Sequence, residues 1–385
     1  AAEAAEKAAA EQAAADQTAA DAVAAQIAAL PALEVIQAKL LANQMDDYDR
    51  VQAVYSAYEQ LTEDQKALLP SAGEVFKPYF DYFNSQISTV ASSGTCGDNA
   101  KWYISGKTLV IYGSGDMYDY EADTAPWGSY ISSGTSAGPN ITAIQIGDQI
   151  TSIGNYAFYN NYGTTSLKIG SGVQRIGNSS CQFDQIKTLE LPDSLTVIEN
   201  YAFAWCTSLQ ELTLPDALQY LGTYSFGGCT SLTSVHIPAG VTDFVIESGV
   251  LKSGVFSGCS GLKSFTVDSG NRILAAKDGV LFNKNMTRLI QYPAAADRTS
   301  YVIPDTVNTI GYRAFENIRN LKEVTVPASV TLIDMYPFIG ETSLEKVVFR
   351  GNAPEGLGYY TFTEADVTAW YPITGEGWDT ALSNN

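Results

Sequence analysis

Few residues in this sequence are placed to do chemistry. The one histidine, His236, stands in "SVHIP" between Val235 and Ile237. Alternation along an extended strand puts it on the side opposite those apolar neighbours, in water. A nucleophilic triad needs a base and an orienting acid converging on one hydroxyl or thiol. The spacing around His236 assembles no such set, and it reads as a surface residue. Cys206, Cys229 and Cys259 recur in one context, "CTSL", "CTSL" and "CSGL". Metal and redox sites pair cysteines as C-x-x-C, a spacing this sequence lacks. These thiols read as small buried groups outside any disulfide. "GDMYDYEAD" gathers Asp116, Asp119, Glu121 and Asp123, oxygen ligands of the kind calcium takes. The EF-hand spacing, with its glycine and distal glutamate, is missing and argues against a calcium loop of that kind. Glycoside cleavage needs two carboxylates held across a cleft, and the glycine loops that cradle phosphate are missing. The sequence therefore names no catalytic residue, no metal ligand and no cofactor.

The bulk composition narrows the partners. Of 385 residues, 45% are hydrophobic and 17% charged, a folded composition. Lys and Arg total 22 against 42 Asp and Glu, a net charge of −20. So acidic a surface repels phosphate backbones and anionic lipid heads, which excludes nucleic acid and bare membrane as partners. No run approaches the ~18 apolar residues of a membrane span, so no direct insertion is expected. No basic-then-apolar leader opens the chain, so an exported form would already have lost its signal.

What must position any functional residue is a repeat. Cys206 and Cys229 begin the same tetrapeptide 23 residues apart. The stretch between them follows C-x-S-L-x-x-L-x-L-P-x-x-L-x-x-L-G-x-x-S-F-x-x-C. In it, Leu212 and Leu214 alternate with Glu211 and Thr213, so one side of a short strand is apolar and the other wet. One such unit cannot bury its apolar side alone, but stacked units bury it against each other. The phenylalanine before the cysteine recurs as Phe158, Phe203, Phe226, Phe256, Phe315, Phe338 and Phe362. Two long gaps, of 45 and 59 residues, are filled by Cys181, 23 residues after Phe158, and by Tyr292, 23 residues before Phe315, giving nine turns. Strands about 4.8 Å apart would then make a sheet on the order of 40 Å long. Two turns carry insertions, one at "TDFVIESGVLKSG". The other, near 271–300, has "DGVLF" and "TRLIQYP" flanking "NKNM" as a β-hairpin leaving the solenoid.

The blocks "ITSIGNYAF", "LTVIENYAFAWCTSLQELTLP" and "DGVLFNKNMTRLIQYP" resemble the BspA-like leucine-rich-repeat family of bacterial surface proteins, from about Ser92 to Trp378. The resemblance implies secretion, cell-surface display, and adhesion or host interaction. It implies no catalytic residues.

The fold expected is a leucine-rich-repeat solenoid preceded by a small all-α module. Residues 1–90 would form the helical part: the first 25 residues contain 15 Ala, a solvated helix with little to bury. Two apolar stripes follow, Leu30, Leu33, Ile36, Leu40, Leu41 and then Val51, Val54, Tyr55, Tyr58. "TEDQ" at Thr62–Gln65 is a capping box, and Pro78 starts or kinks the last helix. Residues 91–140 would supply a linker and N-terminal β cap. The solenoid would occupy 141–385, with "WYPITGEGW" in its C-terminal cap. The sequons at Asn140, Asn178 and Asn285 matter only in a eukaryotic secretory route.

The exposed strand face follows from the alternation. Its mid-strand column reads Lys168, Glu190, Thr213, His236, Thr266, Val302, Thr325, Val348; its neighbour reads Ser166, Thr188, Glu211, Ser234, Ser264, Glu323, Lys346. The candidate binding set is Lys168, Glu190, Glu211, Thr213, Ser234, His236, Thr266, Glu323, Thr325 and Lys346. It contains no aromatic anchor, whereas tyrosines gather in the turns. The expected function is a non-catalytic extracellular protein, monomeric, binding a host or cell-surface protein or glycan. A polysaccharide-capturing accessory module and a ligand-free stalk are the alternatives.

Overall fold

The computed structural model describes residues 2–37, 45–87, 92–128, 141–161, 163–182, 186–244, 254–340, 343–357, 360–362 and 367–379. Most of the first insertion, the sequon at Asn140, and the end of the presumed N-terminal cap lie outside the described residues. The chain forms two compact units. One comprises 1–117, 144–151 and 170–172; the other comprises 118–143, 152–169 and 173–385.

In the first unit, alanine's helix propensity carries α1 over Ala2–Ala28. Most of α1 is exposed, and Ala20 and Val23 are its buried residues. Helix α2 (Leu33–Gln37) buries Ile36, and α3 (Met45–Glu59) buries Tyr48, Val51 and Val54. Helix α4 (Glu63–Ala67) begins at the expected capping box: Gln65 N donates to Thr62 Oγ1 at 3.3 Å, and Thr62 N to Gln65 Oε1 at 3.0 Å. Pro78 lies within α5 (Ala72–Ile87), which continues through it. Strands β1 (Ser93–Thr95), β2 (Asn99–Ser105) and β3 (Thr108–Asp116) form an antiparallel meander. Tyr103, Val110 and Tyr112 of the meander share one core with Ile36, Val51, Phe76 and Phe83. The Tyr48 ring meets Phe83 at 5.1 Å and Tyr112 at 5.2 Å, both edge to face.

The second unit is a solenoid whose turns each supply two short strands. The second strands of successive turns form a parallel ladder, pairing Ser152–Ile153, Arg175–Ile176, Val197–Ile198, Tyr220–Leu221 and Asp243–Phe244 in order. A later ladder joins Arg288–Gln291, Thr309–Ile310 and Leu332–Ile333. The hairpin of the second insertion pairs Val280–Asn283 with Arg288–Gln291. Its second strand does not leave the solenoid, because it also pairs with Thr309–Ile310 as part of the later ladder. A further antiparallel strand, Leu274–Lys277, reaches Val280 through Asp278 and Gly279 at φ 52° and 79°. Two positive φ values make a type I′ turn, for which Asp-Gly is a preferred sequence.

Stacking between turns rests on the anchor position. Anchor N–H groups donate to the carbonyl of the residue preceding the next anchor, as Phe203 does to Ser225 at 2.7 Å, Phe226 to Val255 at 3.0 Å and Phe315 to Pro337 at 2.8 Å. Cys181 bonds Ala202 and Tyr292 bonds Ala314 in the same way, at 2.8 and 2.7 Å, so both occupy anchor slots. The rings stack face to face: Phe203 on Phe226 at 5.3 Å, Tyr292 on Phe315 at 5.4 Å and Phe338 on Phe362 at 5.5 Å. Trp127 adds a ring ahead of the first anchor, stacked on Phe158 at 5.6 Å.

The backbone bends sharply on one or both sides of most anchors. Two residues before it, Tyr156, Ser179, Tyr201, Tyr224, Arg313 and Tyr336 have φ between 51° and 57°. Two residues after it, Asn160, Trp205, Gly228, Gly258, Asn317 and Gly340 have φ between 54° and 73°. Side chains at the first position form a column along the turns, in which Tyr201 and Tyr224 stack at 5.5 Å and 6°.

Candidate binding face

The first strand of each turn carries the candidate residues, and alternation turns its apolar side chains inward. Leu167, Leu189, Leu212, Val235, Phe265, Val324 and Val347 are all buried. The exposed side is broken into segments. Lys168 and Glu190 stand side by side on paired strands, both exposed. Thr213 bridges to His236, and Ser234–Ile237 pairs with Ser264–Val267. Glu211, Thr213, Ser234, His236 and Thr266 are exposed here. His236 Nδ1 lies 2.9 Å from Thr266 Oγ1, and its Nε2 lies 3.2 Å from Asp268 Oδ1. That row sits on open strand surface, with the His236 side chain 54% exposed.

The third segment is a four-stranded parallel sheet of Ser300–Val302, Glu323–Val326, Lys346–Phe349 and Thr368–Trp370. One row across it reads Ser300, Glu323, Lys346, Thr368; the other reads Val302, Thr325, Val348, Trp370. Lys346 Nζ pairs with Glu323 at 3.2 Å and sits 5.5 Å from the centre of the Trp370 ring. Two expectations change here. Thr325 is not exposed: it is 6% accessible, flanked in register by Val302 and Val348. The face does have an aromatic anchor, because the strand that follows the last counted column adds Trp370, 58% exposed, with Val302 63% exposed in the same row. Trp370 stands 22 residues after Val348, so the repeat period itself was the signal that could have found it. Nearby, Trp378 is buried, stacked on Tyr371 at 4.5 Å and edge-on to Phe349 at 5.0 Å.

The other residues singled out for chemistry serve the fold. Asp116 accepts from Thr151 Oγ1 at 2.6 Å, Asp119 from Asn155 N at 2.8 Å, and Asp123 from Asn160 Nδ2 at 3.1 Å. Among the described residues no group of three or more His, Cys, Asp or Glu is placed to hold a metal. All five cysteines are free and buried. Cys206, Cys229 and Cys259 each donate the thiol to an anchor carbonyl one turn back, of Cys181, Phe203 and Phe226. Burial pushes the Cys96 thiol up to about 12 and raises Cys229 as well. No described helix is long and apolar enough to cross a membrane.

A second polar cluster, which the sequence did not single out, lies in the turn column. Glu316 accepts from Ser257 Oγ, from Gly258 N at 3.0 Å and from Arg313 Nη1. Arg313 Nε donates to the Tyr312 hydroxyl at 2.9 Å, and its guanidinium lies 5.4 Å from that ring's centre. Burial alone would lower the Arg313 pKa, but Glu316 and the two tyrosines beside it outweigh burial and raise it. A small open depression lined by Gly254, Ser257, Gln291 and Tyr312 adjoins this cluster.

Stacked turns, a buried anchor column and an exposed strand ladder define a leucine-rich-repeat solenoid. Residues 129–263, 181–298 and 292–369 match the BspA type leucine rich repeat region in six copies, and the chain belongs to that family. It is similar to the crystal structure of a leucine-rich repeat protein from Eubacterium ventriosum, with 25% identity and a TM-score of 0.58 over 73% of this chain and 68% of that one. It is also similar to the pneumococcal vaccine antigen PcpA, with 21% identity and a TM-score of 0.55 over 73% and 78%. Among curated proteins there is no match.

Proposed function

We propose that this chain is a non-catalytic binding protein displayed outside the cell, and that it recognises a partner protein through the Val302–Trp370 segment of its strand face. The observation that carries this is Trp370, an exposed indole held in place by Lys346 and in register with exposed Val302. Trp, Tyr and Arg are enriched among interface hot spots, which cluster within a ring of contacts that excludes water. Glu323 and Lys346 supply that rim. The low Lys and Arg content and net charge of −20 suit an extracellular protein that avoids nucleic acid and anionic lipid.

The test is binding of the full chain to an immobilised panel of matrix proteins, mucins and polysaccharides. Saturable binding to a protein, lost in Trp370→Ala and kept in Lys168→Ala, is the expected result. Binding that ignores Trp370→Ala, or confined to polysaccharides, or absent across the panel, overturns the reading.

A further inference from the structure

The acidity of the chain is uneven. Residues 261–320 hold 8 Lys and Arg against 5 Asp and Glu, a balance of +3, while the rest of the chain holds 14 against 37, a balance of −23. Two of these cations are committed to carboxylates, Arg288 to Asp334 and Arg313 to Glu316. Four others come together where the second insertion meets the first strands. Phe265 N donates to Gly279 O at 2.9 Å, which holds the Asp278–Gly279 turn beside the strand Ser264–Val267. Lys277 enters that turn, and Arg298 Nη2 donates to the Asp278 carbonyl. Lys263 Nζ lies 3.8 Å from Asp297, the residue before Arg298. Arg319 Nη2 donates at 2.7 Å to the hydroxyl of Ser260, three residues before Lys263. These contacts link Lys277, Arg298, Lys263 and Arg319 along one rim beside the strand face.

The rim has charge and donors to spare. Lys263, Lys277 and Arg319 are exposed. Among the described residues Lys277 takes no partner and Arg319 no carboxylate. Lys263 and Asp297 form a loose pair, their side chains 58% and 80% exposed, and such pairs hold little. Each of the two guanidiniums uses only Nη2 among the described residues, so its Nε and Nη1 can meet a carboxylate in the planar fork that arginine offers. Asp278 and Asp297 offset two of the four cations, which leaves a surplus of positive charge on an otherwise acidic molecule. A long polyanion suits this rim poorly, because beyond it the polymer would run onto surface carrying the −23 balance. A short anionic segment can end where the cations end.

We infer that the rim formed by Lys263, Lys277, Arg298 and Arg319 is a docking surface for a short acidic segment of a partner protein, whose Asp and Glu carboxylates pair with these cations. The surface shares no residue with the Trp370 segment and does not rest on that reading.

The test is titration of the full chain with fluorescein-labelled octaglutamate, followed by anisotropy at low salt, with octaglutamine and a heparin-derived oligosaccharide of matched charge as comparisons. Octaglutamate should bind saturably and octaglutamine should not. Binding should vanish in about 1 M salt, where the Debye length is ~3 Å. The double reversal Lys263→Glu with Lys277→Glu should weaken it by about tenfold, since it removes two attractions and adds two repulsions. Lys101→Glu with Lys107→Glu makes the same change in net charge at exposed sites of the other unit. It should leave the affinity within about twofold, because screened charges act only locally. Thermal melting reports folding, and Lys277→Gln replaces the reversal if that variant fails to fold. Sedimentation of the chain alone shows whether the acidic segment comes from a second copy. No saturable binding of octaglutamate, undiminished affinity in the folded rim variant, equal loss in the two double variants, tighter binding of the oligosaccharide, or a dimer that the rim reversal dissolves would each overturn the assignment.

Discussion

The thiol of Cys229 donates to the carbonyl oxygen of Phe203, one turn back, at 3.4 Å. Cys206 and Cys259 repeat the arrangement on Cys181 and Phe226. A serine hydroxyl would make the same bond but costs more to bury, whereas cysteine behaves as a small hydrophobe with a weak donor. These sulfurs belong to the packing. The native chain should react negligibly with a thiol reagent at pH 8, and the unfolded, unreduced chain should release five equivalents, matching its five cysteines. Fewer than five would reveal disulfides and contradict the free state.

Cys96 makes the fold sensitive to alkali. Its thiol has an ordinary value of 9.0 and is pushed up to about 12 by burial. Between those values the unfolded chain loses the proton while the folded chain keeps it. Stability is therefore fully present below pH 9 and declines as pH rises toward 12. The slope from this one group approaches about 1.4 kcal/mol per pH unit. Urea midpoints measured from pH 7 to 11 should fall above pH 9, and Cys96→Ala should make that fall less steep without removing it, because burial also raises Tyr103, Tyr112 and Cys229.

The anchor stack predicts how damage spreads. Phe226 lies between Phe203 and Phe256, at 5.3 and 5.8 Å, and is fully buried. Phe226→Ala should cost about 3–5 kcal/mol. Because each turn is stabilised chiefly by its neighbours, the cavity weakens two interfaces at once. Hydrogen exchange should show protection lost in the adjoining turns before it is lost at Phe315 and Phe338.

Gly228 has φ 72°, and a Cβ placed there would meet Trp205 Cδ1 at 2.7 Å. Gly228→Ala should therefore be destabilising on two counts, the left-handed backbone at about 1–2 kcal/mol and the clash. In a double-mutant cycle with Trp205→Ala the clash should disappear while the backbone cost remains. Additive effects would mean that the indole does not press on this glycine.

The solenoid was legible because its signal is a period. Leu212 and Leu214 return one turn later as Val235 and Ile237, and the spacing alone placed Cys181 and Tyr292 in anchor slots that their side chains do not advertise. The capping box at Thr62 was equally local. What escaped lies where the period breaks. Trp127 stands 31 residues before Phe158, outside the template's period. The strand Leu274–Lys277 is signalled only by the Asp-Gly turn behind it. Trp370 keeps the period, but "WYPITGEGW" around it has the composition of a cap, which hides its place on the strand face. The depression beside Gly254 becomes visible only once the turns are stacked.

Alternation predicts that Thr213 and Thr325 are equivalent, both mid-strand and both facing out. The structure separates them. Thr213 is exposed beside His236, while Thr325 is 6% accessible between Val302 and Val348. An aspartate at each position tests the difference, since its side chain is too short to reach water from a covered site. Thr213→Asp should change stability by no more than about 0.5 kcal/mol, as surface substitutions do. Thr325→Asp buries a charge without a partner and should cost about 3 kcal/mol. Thr325→Val, which keeps the shape and removes the hydroxyl, should be neutral or stabilising. Urea unfolding of the three variants decides the matter: if Thr325→Asp costs no more than Thr213→Asp, the flanking valines do not close over residue 325, and the strand face is open along its whole C-terminal segment.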